Sequence, residues 1–245
     1  EVNGNPFLFY LFDQLSSQGI KNFLILTGYL GEQISDFFGN GKDRGWEIQY
    51  SHGPVEWETA RRIWEARKLL EESYLLLYSD NFVNLNLKKI YEFHYKSKKP
   101  LTLMLSKKNN GNIKVNNFGE VISYDSTRKQ EGLEFVEIGY MFIKRDEVFS
   151  HFDNSNITGS FSNILSKLAS SNNMAGFVQE GAYQSISDIE RLSKTEKFLQ
   201  NKKILLLDRD GVINKKASRG EYISSWSDFK WIPETKEALK ILAKE

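Results

Sequence analysis

Three uninterrupted apolar runs divide the chain: Phe23-Leu-Ile-Leu26, Tyr74-Leu-Leu-Leu-Tyr78 and Ile204-Leu-Leu-Leu207. Runs of this length, bounded by turn-forming residues, predict strands buried on both faces. Between them the period changes to that of a helix. Leu8, Leu11, Phe12 and Leu15 form one face, opened by Asn5 as N-cap with Pro6 in the first turn and stopped by Gly19. Further helices are predicted over residues 31–38, 56–72 (Ala60, Ile63, Trp64 and Leu70 on one side), 86–98 and 159–171. Another runs from a capping box at Ser187-Asp-Ile-Glu190 to Leu199, and one more spans 233–244. Residues 46–51 alternate as a strand does, and further strands are predicted at 101–106, 112–116, 120–124 and 135–143.

Strands alternating with helices predict the α/β class, with an open, mainly parallel sheet covered by helices on both faces. Ligands in such folds bind beyond the carboxyl ends of the strands. In the first 200 residues that rule marks Thr27-Gly28-Tyr29, Ser79-Asp80-Asn81 and the neighbourhood of Glu137-Ile138-Gly139. A short junction near Gln200–Lys202 separates a first domain, residues 1–200, from a second piece, residues 202–245.

Composition narrows the options. The 245 residues are 40% apolar and 27% charged, enough for a core and ordinary for a soluble protein. A net charge of +1 offers no broad basic field for nucleic acid. The absence of cysteine excludes disulfides, thiolate metal sites and a thiol nucleophile, and fits a reducing, cytoplasmic setting. No apolar run is long enough to span a membrane. Glu1-Val-Asn-Gly-Asn-Pro6 reads as the middle of a domain, so the chain is expected to be a fragment at both ends.

The third apolar run ends in Asp208-Arg-Asp-Gly-Val-Ile-Asn214. Alternate residues at a strand tip share a face, so Asp208 and Asp210 can aim at one point. Two carboxylates that close call for a cation between them, and Mg²⁺ is the usual choice for an oxygen-only site. Gly211 permits a tight turn whose N–H groups meet an anion. This stretch resembles the first motif of the haloacid-dehalogenase phosphatases, in the form found among histidinol and heptose-bisphosphate phosphatases. The resemblance implies that Asp208 is the nucleophile forming an aspartyl-phosphate, that Asp210 is the general acid and then base, and that the two hold Mg²⁺. The family's later Ser/Thr, Lys and acidic groups have no counterpart before Glu245.

Four ordered segments in the first domain resemble a sugar-1-phosphate nucleotidyltransferase of the heptose or hexose 1-phosphate branch. They are Val2-Asn-Gly-Asn-Pro-Phe-Leu8, Leu26-Thr-Gly-Tyr-Leu-Gly-Glu-Gln-Ile34, Leu75-Leu-Leu-Tyr-Ser-Asp-Asn81 and Val136-Glu-Ile-Gly-Tyr140. Tyr183-Gln-Ser-Ile-Ser-Asp-Ile-Glu-Arg-Leu192 is similar to the same family's closing segment. The likeness implies a GT-A-like, Rossmann-type domain that joins NTP to a sugar phosphate and releases pyrophosphate by positioning and charge neutralisation. It further implies that Asp80 holds Mg²⁺ with Asn81 beside it, that Thr27 and Gly28 flank the nucleotide, that Gly139 lets backbone approach the sugar, and that Glu137 accepts a sugar hydroxyl.

Three departures stand beside these implications. The family's Gly-rich triphosphate loop is expected before Glu1. The usual Leu-Gly-Thr-Ala reads Trp57-Glu58-Thr59-Ala60, and the closing segment's second acid reads Ser185. They keep open a reading in which the first domain is a non-catalytic sugar-phosphate or nucleotide-binding module attached to the phosphatase. His52, His94 and His151 are expected to be structural or exposed, Tyr91–Tyr95 to be a helix face, and Trp226 and Trp231 to pack rather than hold substrate. Base, sugar and homo-oligomer formation are not legible.

Overall fold

The computed structural model describes residues 1–153, 157–181, 183–200 and 207–242. The chain falls into two compact units, Glu1–Leu199 and Gln200–Glu245.

In the first unit, α1 (Phe7–Ser17), β1 (Asn22–Thr27), α2 (Gly31–Phe38), β2 (Glu47–His52), α3 (Thr59–Glu65), β3 (Ser73–Leu77) and β4 (Asn81–Val83) follow in order. Then come α4 (Leu87–Ser97), β5 (Leu101–Lys107), β6 (Ile113–Val115), β7 (Val121–Tyr124), β8 (Phe135–Lys144) and α5 (Arg145–Phe149). The unit closes with α6 (Ser162–Ser170), β9 (Met174–Val178), β10 (Tyr183–Ser185) and α7 (Ile189–Gln200), whose last residue lies past the unit boundary. In the second unit the described helix is α8 (Thr235–Leu242).

The α/β class holds, with helices on both faces, but the strand directions are mixed rather than mainly parallel. The long strand β8 runs antiparallel to β3, β5 and β6, while β1–β2 and β5–β9 are parallel pairs. Strand periodicity sends alternate residues of β5 and β8 to opposite faces. Leu101, Leu103, Leu105, Met141 and Ile143 pack in one cluster with Ile63, Val148 and Leu165 from α3, α5 and α6. Met104, Ile138, Tyr140 and Phe142 join a second cluster with Leu11, Phe12 and Leu15 of α1, Phe38 of α2 and Ile90 of α4. In that second cluster Phe12 stacks on Phe23 at 4.2 Å, and Trp46 contacts both edge-on.

Several boundaries differ from the predicted ones for local reasons. Asn5 is bound through its backbone to Val2, so Pro6 caps α1 without a side-chain bond. The helix expected from residue 56 starts at Thr59, because Trp57 N–H closes a turn onto the Pro54 carbonyl, and it tightens into a 3₁₀ turn at Ala66–Lys68. The capping box gives way to a simple cap in which Asp188 Oδ1 accepts from Arg191 N–H at 2.8 Å. The third apolar run falls mostly on residues 204–206, which lie outside the described residues, and Leu207 is not in a strand. The final helix is described only as Thr235–Leu242, since residues 243–245 also lie outside. Strands β4, β9 and β10 and the short helix α5 have no counterpart among the predicted elements.

Candidate functional site

Asp80 stands in the turn between β3 and β4, with its carboxylate accepting from Asn81 Nδ2 at 2.8 Å. The closing strand β10 lies antiparallel on β4, with Ser185 opposite Asn81. Ile186 N–H then donates to the Asp80 carbonyl at 2.8 Å. The Leu75–Asn81 and Tyr183–Leu192 segments, far apart in sequence, therefore meet at one turn. Ser185, the residue expected to be an acid in the closing segment, thus lies across from Asn81, next to Asp80 in the chain. Asp188 is engaged instead in capping α7, and its carboxyl is held below the usual range, first by the Arg191 N–H.

Gly139 reaches the same turn through a bulge in β8. Leu103 pairs with Met141 and Leu105 with Glu137, so one residue of β5 faces three of β8. Gly139 takes φ +77° within that bulge. A Cβ on it would lie 3.0 Å from both Asn81 Nδ2 and Tyr78 Cβ. Its carbonyl accepts Tyr78 N–H at 2.8 Å, and the neighbouring Tyr140 hydroxyl donates to the Asn81 carbonyl at 3.1 Å. Only glycine combines this left-handed backbone with so close an approach.

Glu137 is half-buried, and its Oε2 is buried without a hydrogen-bond partner among the described residues. Burying a carboxylate oxygen unpaired is costly, so an oxygen in that state is suited to receive a donor from a ligand. Tyr78 and Tyr124 share its surroundings. Burial pushes the Tyr78 phenol up to about 12, with the negative charges of Glu137 and Asp80 adding to the effect. Tyr124 is raised in the same way, by burial first and Glu137 second. Both phenols therefore remain protonated donors at neutral pH. Neither stands out from sequence, although Tyr78 lies inside the Leu75–Asn81 segment.

Thr27 and Gly28 form a second group, at the carboxyl ends of the parallel pair β1–β2. Thr27 is buried, and its hydroxyl lies 2.6 Å from His52 Nδ1, directly across the ladder. The guanidinium of Arg62 lies against Gly28, where any Cβ would displace it, and donates to the Thr27 carbonyl at 2.7 Å. Sequence reasoning misses His52 and Arg62 because their partners come from other elements, β1 for His52 and the loops after β1 and β2 for Arg62. His94 is structural as expected: it is buried, bonded to Thr102 at 2.8 Å and stacked on Phe142. His151 lies 3.3 Å from Asn173 Nδ2.

In the second unit Arg209 intervenes between the two acids. Its Nε and Nη2 bind the two oxygens of Asp210 at 2.9 and 3.1 Å, and its own N–H donates to Asp208 Oδ1 at 2.8 Å. The Arg209 bond, ahead of one from Asn214, holds the Asp210 carboxyl below its usual range. Gly211 turns with φ +88°, its N–H bonded to the Asn214 carbonyl at 2.7 Å. Trp226 and Trp231 contact the Phe229 ring at 4.8 and 5.1 Å, yet both stay exposed, Trp226 at 75%, so the packing expected of them is only partial among the described residues. Among the described residues, no three His, Cys, Asp or Glu side chains gather as a metal site in either unit.

The sequence matches the profile of the family described as "Nucleotidyl transferase" over residues 1–228. The chain belongs to that family. Among its relatives is the D-glycero-α-D-manno-heptose 1-phosphate guanylyltransferase of Aneurinibacillus thermoaerophilus, 28% identical over 210 residues, covering 82% of this chain and 87% of that protein. The glucose-1-phosphate cytidylyltransferase of Salmonella typhimurium is 24% identical over 217 residues, covering 77% and 82%. The crystal structure of HddC from Yersinia pseudotuberculosis, complexed with GMP-PN, superposes with a TM-score of 0.68 at 17% identity, over 82% of this chain and 88% of that one. At that identity the superposition establishes a shared fold. The nucleotidyl transferase match runs through Asp208-Arg-Asp-Gly211, and nothing among these similarities identifies a phosphatase.

Proposed function

We propose that this nucleotidyl transferase joins an NTP to a sugar 1-phosphate, with a heptose 1-phosphate as the favoured acceptor. The observation carrying this reading is the convergence of Asp80, Asn81 and Gly139 at one turn, with the unpaired Glu137 oxygen and Asp80 both acting on the Tyr78 phenol. The named activities of the guanylyltransferase and cytidylyltransferase relatives support the reaction class.

In the reaction an oxygen of the sugar phosphate forms a bond to the α-phosphorus. The bond from that phosphorus to the β-phosphate oxygen breaks, and pyrophosphate leaves. The chain's contribution is placement. Gly139 lets the sugar ring lie against backbone, Glu137 accepts one of its hydroxyls, and Tyr78 and Tyr124 donate to others. Thr27 and Gly28 flank the nucleotide. Mg²⁺ commonly binds through one or two carboxylates together with substrate phosphates and retained waters. The exposed Asp80 carboxylate, with the Ser185 segment opposite, fits an ion that arrives on the nucleotide, with Asp80 as its protein ligand. Such an ion supplies neutralisation of phosphate charge when bound.

The test is turnover of the full chain with Mg²⁺, each NTP in turn, and heptose or hexose 1-phosphates, followed by pyrophosphate release. Sugar nucleotide is expected from at least one pair, and Asp80→Asn is expected to lower kcat by roughly 100-fold or more. No product from any pair defeats the reading.

Ser185 favours a second reading, a binding module of the same fold that holds substrate without turning it over. Binding without turnover, unrelieved by Ser185→Asp, would establish it. A rise in rate with that variant would instead assign the lost acid to metal affinity.

For residues 202–245 we propose the opening of a phosphatase, supported by the Asp-x-Asp-Gly order and the Gly211 turn. The Arg209 guanidinium occupies both oxygens of Asp210 and holds its carboxyl below the usual range, so an acid role requires that pair to open. Release of phosphate from heptose bisphosphate or histidinol phosphate by the full-length parent, abolished by Asp208→Asn, is the check.

A further inference from the structure

Among the described residues the half-buried Arg62 binds backbone carbonyls of two separate segments and no carboxylate. Its Nη1 donates to the Thr27 carbonyl at 2.7 Å and to that of Gly53 at 3.4 Å. Its Nη2 donates to the Pro54 carbonyl at 2.7 Å and to that of Val55 at 3.4 Å. One segment leaves β1 and the other leaves β2. Because these strands are parallel, both segments emerge on the same edge, where open α/β sheets take their ligands.

The surroundings are shaped to receive the guanidinium. A Cβ at Gly28 would lie 2.4 Å from Nη2, so the absence of a side chain there makes the close approach possible. A Cβ at Gly53 would lie 2.5 Å from the Trp57 ring and 3.3 Å from Arg62 Nη1. The Trp57 ring therefore fills the space over Gly53, and it also lies 5.4 Å from the Arg61 guanidinium. The planar fork of arginine can serve several acceptors at fixed angles, which the point charge of lysine does not.

We propose that Arg62 is a positioning residue for the nucleotide: it locks the Thr27–Gly28 and Gly53–Val55 segments into one rigid wall against which the base and ribose of the NTP are held. The inference rests on the transferase reading, with Thr27 and Gly28 beside the nucleotide. Preorganisation of this kind acts on nucleotide affinity, because a loosened wall must be re-ordered on each binding event. It leaves the phosphoryl chemistry at Asp80 and the sugar contacts of Glu137 and Gly139 unaltered.

The experiment compares wild type, Arg62→Ala and Arg62→Lys in the full chain. It measures KM for NTP, KM for sugar 1-phosphate, kcat, direct NTP binding by Trp fluorescence, and thermal unfolding. The expected result is a rise of roughly 10-fold or more in NTP KM and Kd for Arg62→Ala, with kcat and the sugar-phosphate KM within about threefold of wild type. Arg62→Lys is expected to recover less than half of that loss in logarithmic terms. Millimolar methylguanidinium is expected to tighten NTP binding to Arg62→Ala and to leave wild type unchanged. Unchanged NTP binding in Arg62→Ala, assayed below its unfolding transition, overturns the proposal whatever happens to stability. An equal fall of kcat with both substrates' KM unmoved also overturns it. Wild type that binds no NTP overturns the transferase reading itself, and is distinguished by the first measurement.

Discussion

Gly139 shows how one residue carries both backbone and site. Its φ of +77° and the 3.0 Å approach of Asn81 and Tyr78 mean that a methyl group would be strained and would have to push those side chains aside. Gly139→Ala incurs left-handed strain of about 1 kcal/mol or more and pushes the Asp80–Asn81 turn away from the bulge. The expected outcome is a KM for sugar 1-phosphate raised roughly 10-fold or more, with an unfolding free energy lowered by about 1–2 kcal/mol. Urea titration beside steady-state kinetics checks both. At the same scale the unpaired Glu137 oxygen is half legible. Its place in Val136-Glu-Ile-Gly-Tyr140 is what singles it out as a candidate sugar contact, but its burial beside two phenols depends on strand β7 and the end of β3, which no local pattern reports.

Elements are legible where apolar spacing decides them and obscure where a partner strand does. α1, β1, α2, β5 and β8 follow their patterns within a residue or two. β9 escapes because Met174-Ala-Gly-Phe-Val178 carries small residues at its centre. They are small because Leu105 and Val115 press on Gly176, where a Cβ would lie 2.4 and 2.8 Å from their methyl groups. β10, Tyr183-Gln-Ser185, has no strand signature and is extended through its pairing with β4. A sharper test of element packing is Gly111, ahead of β6. A Cβ there would lie 2.2 Å from the Phe135 carbonyl oxygen, and backbone cannot step aside as a side chain can. Gly111→Ala is expected to cost about 2–3 kcal/mol of stability by loosening β6 from β8. A calorimetric transition within about 1 °C of wild type would show that the strands separate at no cost.

At the scale of the whole molecule, the main sheet of the first unit is buried on both faces, and the unit's acid sensitivity follows from what is buried with it. Burial, ahead of the positive charge of Lys144, lowers His94 to about 4. The unfolded chain binds a proton near pH 6.5 that the folded chain refuses until about 4, so the unfolded state holds more protons across that window. Stability is therefore full above about 6.5 and declines as pH falls toward 4, by about 2 kcal/mol at pH 5 from this residue. The expected observation is a drop of that size in urea-derived stability between about pH 7 and pH 5, absent from His94→Gln. An equal drop in the variant would assign the acid sensitivity to other groups. Among the described residues no helix is long and apolar enough to cross a membrane, as the hydropathy of the sequence indicates.

By itself the sequence determined the α/β class and the main helices, and it pointed to Asp80, Asn81, Glu137 and Gly139 as members of one candidate site. Those features are local: periodicity records which face of an element is buried, and short ordered segments record which backbone turns a phosphate site needs. The tertiary structure decided that the sheet is mixed around β8, that Ser185 is the residue facing the Asp80 turn, and that Arg62 ties two loops together. These are pairings between residues distant along the chain, and each depends on strand register and on the space left by a glycine on another element. No window along the chain carries that information, because it exists only once the sheet has closed.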